Sequence, residues 1–270
     1  MFIRFGDVIA QKPNVDDVDV LERARSLPEL SMALGVWRPR NWWGSGVSGE
    51  LLLQIAVEDG IPLAWVPPME IVREIVTFAT PEDRVAFLLR HEVEIVEHCG
   101  QVLSDCHDPW LEQVQPLAVS VVNAWQAGVR PAAMGLAVNL GEDLAIDVSK
   151  GSRGFRSEEA AEAWEEEFGK IHSEYSKARY ESDSTNPHVI HSFLNTVVRA
   201  PIPHFFVPWR KASGDPTPKQ LSRHVAVHRP TVDHYTDGNA LLSVMLVCSL
   251  MRELQDKYVN LRADEDFGDV

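Results

Sequence analysis

The stretch Asn239 to Met251, NALLSVMLVCSLM, carries no formal charge over 13 residues, and it constrains the fold more than any other feature. As a helix it spans about 20 Å, too little for the roughly 30 Å hydrocarbon layer of a bilayer. Its apolar residues fall on nearly every side of such a helix, so other helices have to surround it. The expected helix begins near Thr236 or Asp237 and runs to about Tyr258, central in a bundle.

The rest of the chain reads as helices around that centre. One is expected from Val18 to Leu34, interrupted by Pro28, followed by an aromatic, glycine-rich loop from Trp37 to Gly49 that holds Trp42 and Trp43. Ser48 caps a helix to about Ala56. Gly60 to Pro68, GIPLAWVPP, is the best strand candidate, and its open edge needs a partner such as the N-terminal MFIRF. Ile71, Ile75 and Phe78 then resume helical spacing. Thr80-Pro81-Glu82-Asp83 combines a capping hydroxyl, a first-turn proline and first-turn acids, and starts a helix expected to reach Leu103.

Further helices are expected at Pro109 to Ala127 and Pro131 to Ile146, separated by Gly128. Residues 157–180 read as an exposed acidic helix with Trp164, Phe168, Ile171 and Tyr175 on one stripe. A polar linker, Glu181 to Pro187, precedes a helix from His188 to Val198, and Pro201, Pro203 and Pro208 enforce an irregular connection. Thr217-Pro218-Lys219-Gln220 has the form of a capping box, which starts a helix at Pro218 that Pro230 ends. The expected class is all-α, a multi-helix bundle with at most a short N-terminal β element. Its divisions are a segment 1–66 packed on the bundle, a bundle 67–262 and an acidic tail 263–270.

Composition narrows the function classes. With 45% apolar and 24% charged residues, a packed core is the default. The net charge of −15 repels phosphate backbones, so any nucleic-acid binding has to be local. The N-terminal MFIRFGDVIAQKPNVDD turns acidic quickly and does not read as a secretory signal, which points to a cytoplasmic protein without a membrane span. Cys99, Cys106 and Cys248 form no CxxC pair and suit reduced, buried thiols.

Chemistry concentrates in Arg223-His224-Val225-Ala226-Val227-His228. Arg210, Lys211, Lys219, Arg223 and Arg229 outweigh Asp215 nearby, a local basic cluster in an acidic chain. Arg199 to His204, Arg229 to His234 and Arg84 to His91 have related spacings, but Ala, Pro or Val follows the arginine there. Arg223 alone is followed by a polar residue on a helix and then by a buried helix.

This segment resembles the Arg, polar residue, any three, His signature of HEPN-domain ribonucleases, over one helix. Ser222 to Thr236 and Asn239 to Leu242 also resemble the C-terminal parts of uncharacterised bacterial helical proteins. The HEPN resemblance implies a helical bundle that often dimerises, with two motifs meeting at the subunit interface to cut RNA without metal. It implies a toxin or defence role, RNA as substrate, a homodimer, a regulatory protein partner and no cofactor.

Under that reading the ribose 2′-hydroxyl attacks its neighbouring phosphate. Imidazole moves protons near neutral pH, so His228 is the general base or acid, His224 orients or shares the proton, and Arg223 holds the phosphate. Arg210, Lys219, Arg229, Tyr235 and Asn239 are candidate substrate contacts. Five residues along a helix turn about 140°, so Arg223 and His228 flank a groove that a second protomer would close. A rival reading takes His224 and His228, one turn apart, as a zinc pair with His234 or Asp233 as third ligand; His188 and His191 are a weaker pair. In a third reading the histidines satisfy polar groups where helices meet and Arg223 pairs with a carboxylate in a non-enzymatic interaction protein. Trp42, Trp43 and Trp110 are expected to be packing anchors rather than base-stacking platforms.

Overall fold

The computed structural model describes residues 39–268 except 43, 48, 151–196, 207–208, 210–213 and 215. Among these residues there are nine α-helices, two short 3₁₀ turns and no strand. The helices are α1 (Gly49–Asp59), α2 (Met69–Ile75), α3 (Pro81–Arg90), α4 (Glu92–Ser104), α5 (Gln115–Gln126), α6 (Arg130–Lys150), α7 (Ile202–Phe205), α8 (Arg223–His228) and α9 (Asp237–Gly268). The predicted helices at 18–34 and 157–180 lie outside the described residues, as does most of 188–198.

Helix α9 is the axis of the bundle. Every residue from Gly238 to Met251 is buried, and α9 packs most extensively on α6, then on α4, with further contacts to α3 and α5. Thr236 opens it, accepting the Asn239 N–H on its hydroxyl at 3.2 Å and the Ala240 N–H on its carbonyl at 2.9 Å. The helix continues to Gly268, past the expected end at Tyr258 and into residues expected as a tail. No helix of the described residues is long and apolar enough to cross a membrane.

The cap at Thr80 forms as its chemistry requires. The hydroxyl accepts the Asp83 N–H at 3.1 Å and donates to the Asp83 carboxylate at 2.7 Å. The single helix expected from there to Leu103 is two, because the chain leaves helical geometry at His91 (φ −110°, ψ 18°). Leu88 and Ile95 are seven residues apart, so the apolar stripe runs through the break in phase and hides it. Gly128, at φ +77°, ends α5 and lets the Val129 N–H reach the Ala124 carbonyl at 2.9 Å.

The expected strand at 60–68 is instead a buried loop whose carbonyls are bound by side chains. Asn41 donates to the Leu63 and Pro67 carbonyls at 3.0 and 2.8 Å, the Trp42 indole donates to Leu63 at 2.7 Å, and the His98 ring donates to Trp65 at 3.1 Å. Side chains thus satisfy the Leu63, Trp65 and Pro67 carbonyls that a strand would offer to a ladder. Trp65 sits at φ +67°, its indole donating to Glu253 at 3.1 Å and its ring under Arg252 at 4.9 Å. Burial pushes the Glu253 carboxyl up to about 7, against the lowering effect of the Trp65 hydrogen bond.

Trp42 is buried, and Trp110 packs edge-on against Tyr258 with ring centroids 4.9 Å apart, so both anchor packing. Trp43 lies outside the described residues. Cys99, Cys106 and Cys248 are free and buried. Loss of hydration raises the Cys248 thiol well above its usual value and Cys106 to about 12, as inert core thiols require.

Candidate functional site

Helix α8 lies on the flank of the bundle and packs against α6. It is shorter than expected. The Thr217 box does not start it; Ser222, in extended geometry at φ −133°, is the residue before the first turn. The carbonyls that a first turn at Pro218 would need are taken elsewhere. Pro218 O lies 3.1 Å from His234 Nδ1, and Lys219 O accepts the Asn239 side-chain amide at 3.1 Å.

His234 and Tyr235 from the turn before α9, with Asn239 in its first turn, therefore fix α8 and the segment that leads into it. His234 is fully buried. Its Nδ1–H faces Pro218 O, which can only accept, and its Nε2 lies 3.1 Å from Ser222 O and 3.2 Å from the Ser222 N–H, which donates to it in the neutral ring. Loss of hydration lowers the His234 pKa, which favours this neutral ring. Asn239, also buried, bonds His234 O at 2.9 Å as well as Lys219 O. The Tyr235 hydroxyl donates to Ala226 O at 2.9 Å, and burial raises its pKa.

With Val225 and Ala226 turned into the core, α8 offers its other face. His228 is exposed and His224 half-buried, their ring centroids 5.9 Å apart. Arg223 is mostly sunk: its side chain is 18% exposed, its Nη2 is ion-paired with Glu142 of α6, and its guanidinium lies 5.7 Å over the Phe206 ring. Its Nε is buried without a hydrogen-bond partner among the described residues.

The structure thus brings Arg223, His224 and His228 together on one short helix. Lys219 and Arg229 are exposed beside its two ends, and Arg210 lies outside the described residues. Tyr235 and Asn239, expected as substrate contacts, bond backbone carbonyls, Tyr235 that of Ala226 in α8 and Asn239 those of Lys219 and His234. His234, expected as a third zinc ligand, has both ring nitrogens against backbone. No group of three metal-ligating side chains forms among the described residues. The related Arg/His spacings serve packing: Arg84 pairs with Asp59, and His204 donates to Val57 O at 2.6 Å.

Glu142 and Phe206 were missed in the sequence. No motif links Glu142 to a position 81 residues later, and its one local signal is that Glu142-Asp143 interrupts an apolar run in α6. Phe206 sits among prolines, where periodicity carries no information.

The fold and the site define an all-α bundle carrying an Arg/His helix on its flank. Comparison of the chain with protein-family models, curated proteins and solved structures finds no match.

Proposed function

We propose that α8 is the working face of a metal-independent endoribonuclease of HEPN type. The observation that carries this reading is the imidazole pair. His224 and His228 stand 5.9 Å apart between ring centroids, reachable from solvent, beside an arginine that does not lose its charge. Cleavage by internal attack needs two proton carriers and one fixed cation, and this helix supplies that set.

In the proposed step His228 takes the ribose 2′-hydroxyl proton as the 2′-oxygen attacks phosphorus. The bond from phosphorus to the 5′-oxygen breaks, and protonated His224 delivers the proton that the leaving oxygen needs. Arg223 offsets charge on the non-bridging oxygens, while Lys219 and Arg229 hold flanking phosphates. The products are a 2′,3′-cyclic phosphate and a free 5′-hydroxyl, with no water consumed and no metal required. A second protomer placing its own α8 opposite the first would wall the shallow face, which is the reason to propose a homodimer.

The ion pair between Arg223 and Glu142 favours a second reading, a non-enzymatic interaction protein in which Arg223 only pins α8 to α6. Cleavage of a mixed RNA pool in chelator separates the two. The ribonuclease reading expects activity that falls at least ~100-fold in His228→Ala, the usual contribution of a proton-transferring side chain, and also falls in Arg223→Ala. Absence of cleavage by folded wild-type protein favours the second reading.

A further inference from the structure

Arginine grips a phosphate through two donors on one edge of the guanidinium. A guanidinium has two such edges, Nε with Nη2 and Nη1 with Nη2, and Nη2 is the corner common to both. In this structure Glu142 holds Arg223 Nη2. The Nε of Arg223 is buried as well, which closes the side edge to any ligand from solvent. The end edge remains, with one of its two corners occupied by a carboxylate.

The charge of Glu142 acts in the same direction as its position. A phosphodiester approaching Arg223 meets a carboxylate at contact distance from the cation, so the attraction it gains is largely cancelled until that carboxylate moves. Glu142 can move, because its side chain is 28% exposed and so retains a path to solvent. Arg223 is held more firmly, by Phe206 and by its own burial.

From this geometry we infer that Glu142 is an internal anion occupying the phosphate fork of Arg223, a latch that RNA has to displace before the fork can engage. The inference rests on the ribonuclease reading and adds regulation to it: the paired state is the closed state of the site. Whatever draws Glu142 away opens the fork, without any change in the fold of α6 or α8.

The test is binding of a fluorescent, fully 2′-O-methylated single-stranded RNA, which cannot be cleaved, read by anisotropy in chelator at low salt. Wild type, Glu142→Gln, Arg223→Ala and the double variant are compared, each with a thermal melt. Glu142→Gln keeps the size and acceptor oxygen of the side chain and removes the charge. It is expected to bind about five-fold more tightly than wild type, the ratio corresponding to ~1 kcal/mol for a partly exposed ion pair. Arg223→Ala is expected to bind more weakly, and adding Glu142→Gln to it should change nothing further.

Binding that Arg223→Ala weakens but Glu142→Gln fails to tighten overturns the latch and leaves the ribonuclease reading standing. A five-fold gain that persists without Arg223 also overturns it, because the effect is then one of net charge. Failure of every folded variant to bind, or binding indifferent to Arg223, removes both the latch and the reading beneath it. Wild type that binds through Arg223, with Glu142→Gln binding about five-fold more tightly and only when Arg223 is present, supports both.

Discussion

Replacing His234 by phenylalanine keeps a ring of similar size in a fully buried position and removes both ring nitrogens. The Ser222 N–H, which now donates to Nε2 at 3.2 Å, loses its acceptor, and Pro218 O loses its contact with Nδ1 at 3.1 Å. A buried donor left unpaired costs roughly 1–3 kcal/mol, and the half-buried carbonyl adds less because water reaches it. The expected loss at pH 7.5 is about 2–4 kcal/mol. A pH dependence accompanies it. His234 has its folded pKa lowered, chiefly by burial, below an unfolded value near 6.5. The unfolded chain therefore binds a proton that the native ring refuses, so the contribution of His234 is fully present above about pH 6.5 and declines as pH falls. The gap between wild type and His234→Phe should therefore shrink as pH falls from 7.5 to 5.5. Urea melts followed by helix circular dichroism measure it, and other titrating groups cancel in the difference. A gap under ~1 kcal/mol at pH 7.5, or one that stays constant with pH, would refute this role of His234.

Other parts of the structure make independent predictions. Glu253 has its folded pKa raised to about 7 by burial, so its native carboxyl stabilises only at low pH, and that contribution is lost as pH rises from about 4.5 through 7. Glu253→Gln keeps an acceptor for the Trp65 indole. It should match wild type near pH 4 and exceed it by about 3 kcal/mol at pH 8, as read by thermal melts; equal stability at pH 8 would contradict the assignment. Gly60 ends α1 at φ +68°, and a Cβ there would lie 2.8 Å from the His204 ring. Gly60→Ala is therefore expected to cost about 2–4 kcal/mol in the same assay, whereas a change below ~1 kcal/mol would show that His204 yields freely.

The bundle was legible wherever a local signal and burial agreed. Asn239 to Met251 announced a central helix because no polar face exists along it, and Thr80-Pro81 and Gly128 mark real ends because caps and left-handed turns are local chemistry. The break at His91 was hidden because an apolar stripe that stays in phase says nothing about backbone geometry between its members. The loop at 60–68 shares its composition with a strand, and the choice is made by Asn41, Trp42 and His98, which reach its carbonyls from elsewhere in the chain. The capping box at Thr217 lost to the same kind of distant partner, since His234 and Asn239 claim the carbonyls that a helix would use. The candidate site was legible in part: the Arg and His residues lie within one helix, but the carboxylate paired with Arg223 comes from another. Tyr235 and Asn239 also bond backbone carbonyls across the turn, a role that no local pattern announces.

The reaction proposed for α8 requires product ends that no structural role for these residues can mimic. The direct measurement is incubation of wild-type protein with a short RNA in chelator, alongside the same sequence carrying a single 2′-deoxy sugar at the cleavage position, with both product ends identified by mass. The account predicts cleavage of the all-ribose strand to a 2′,3′-cyclic phosphate and a 5′-hydroxyl, no cleavage at the deoxy position, and loss of both products in His228→Ala. Intact RNA, cleavage that survives the missing 2′-hydroxyl, or products ending in 3′-hydroxyl and 5′-phosphate would contradict it.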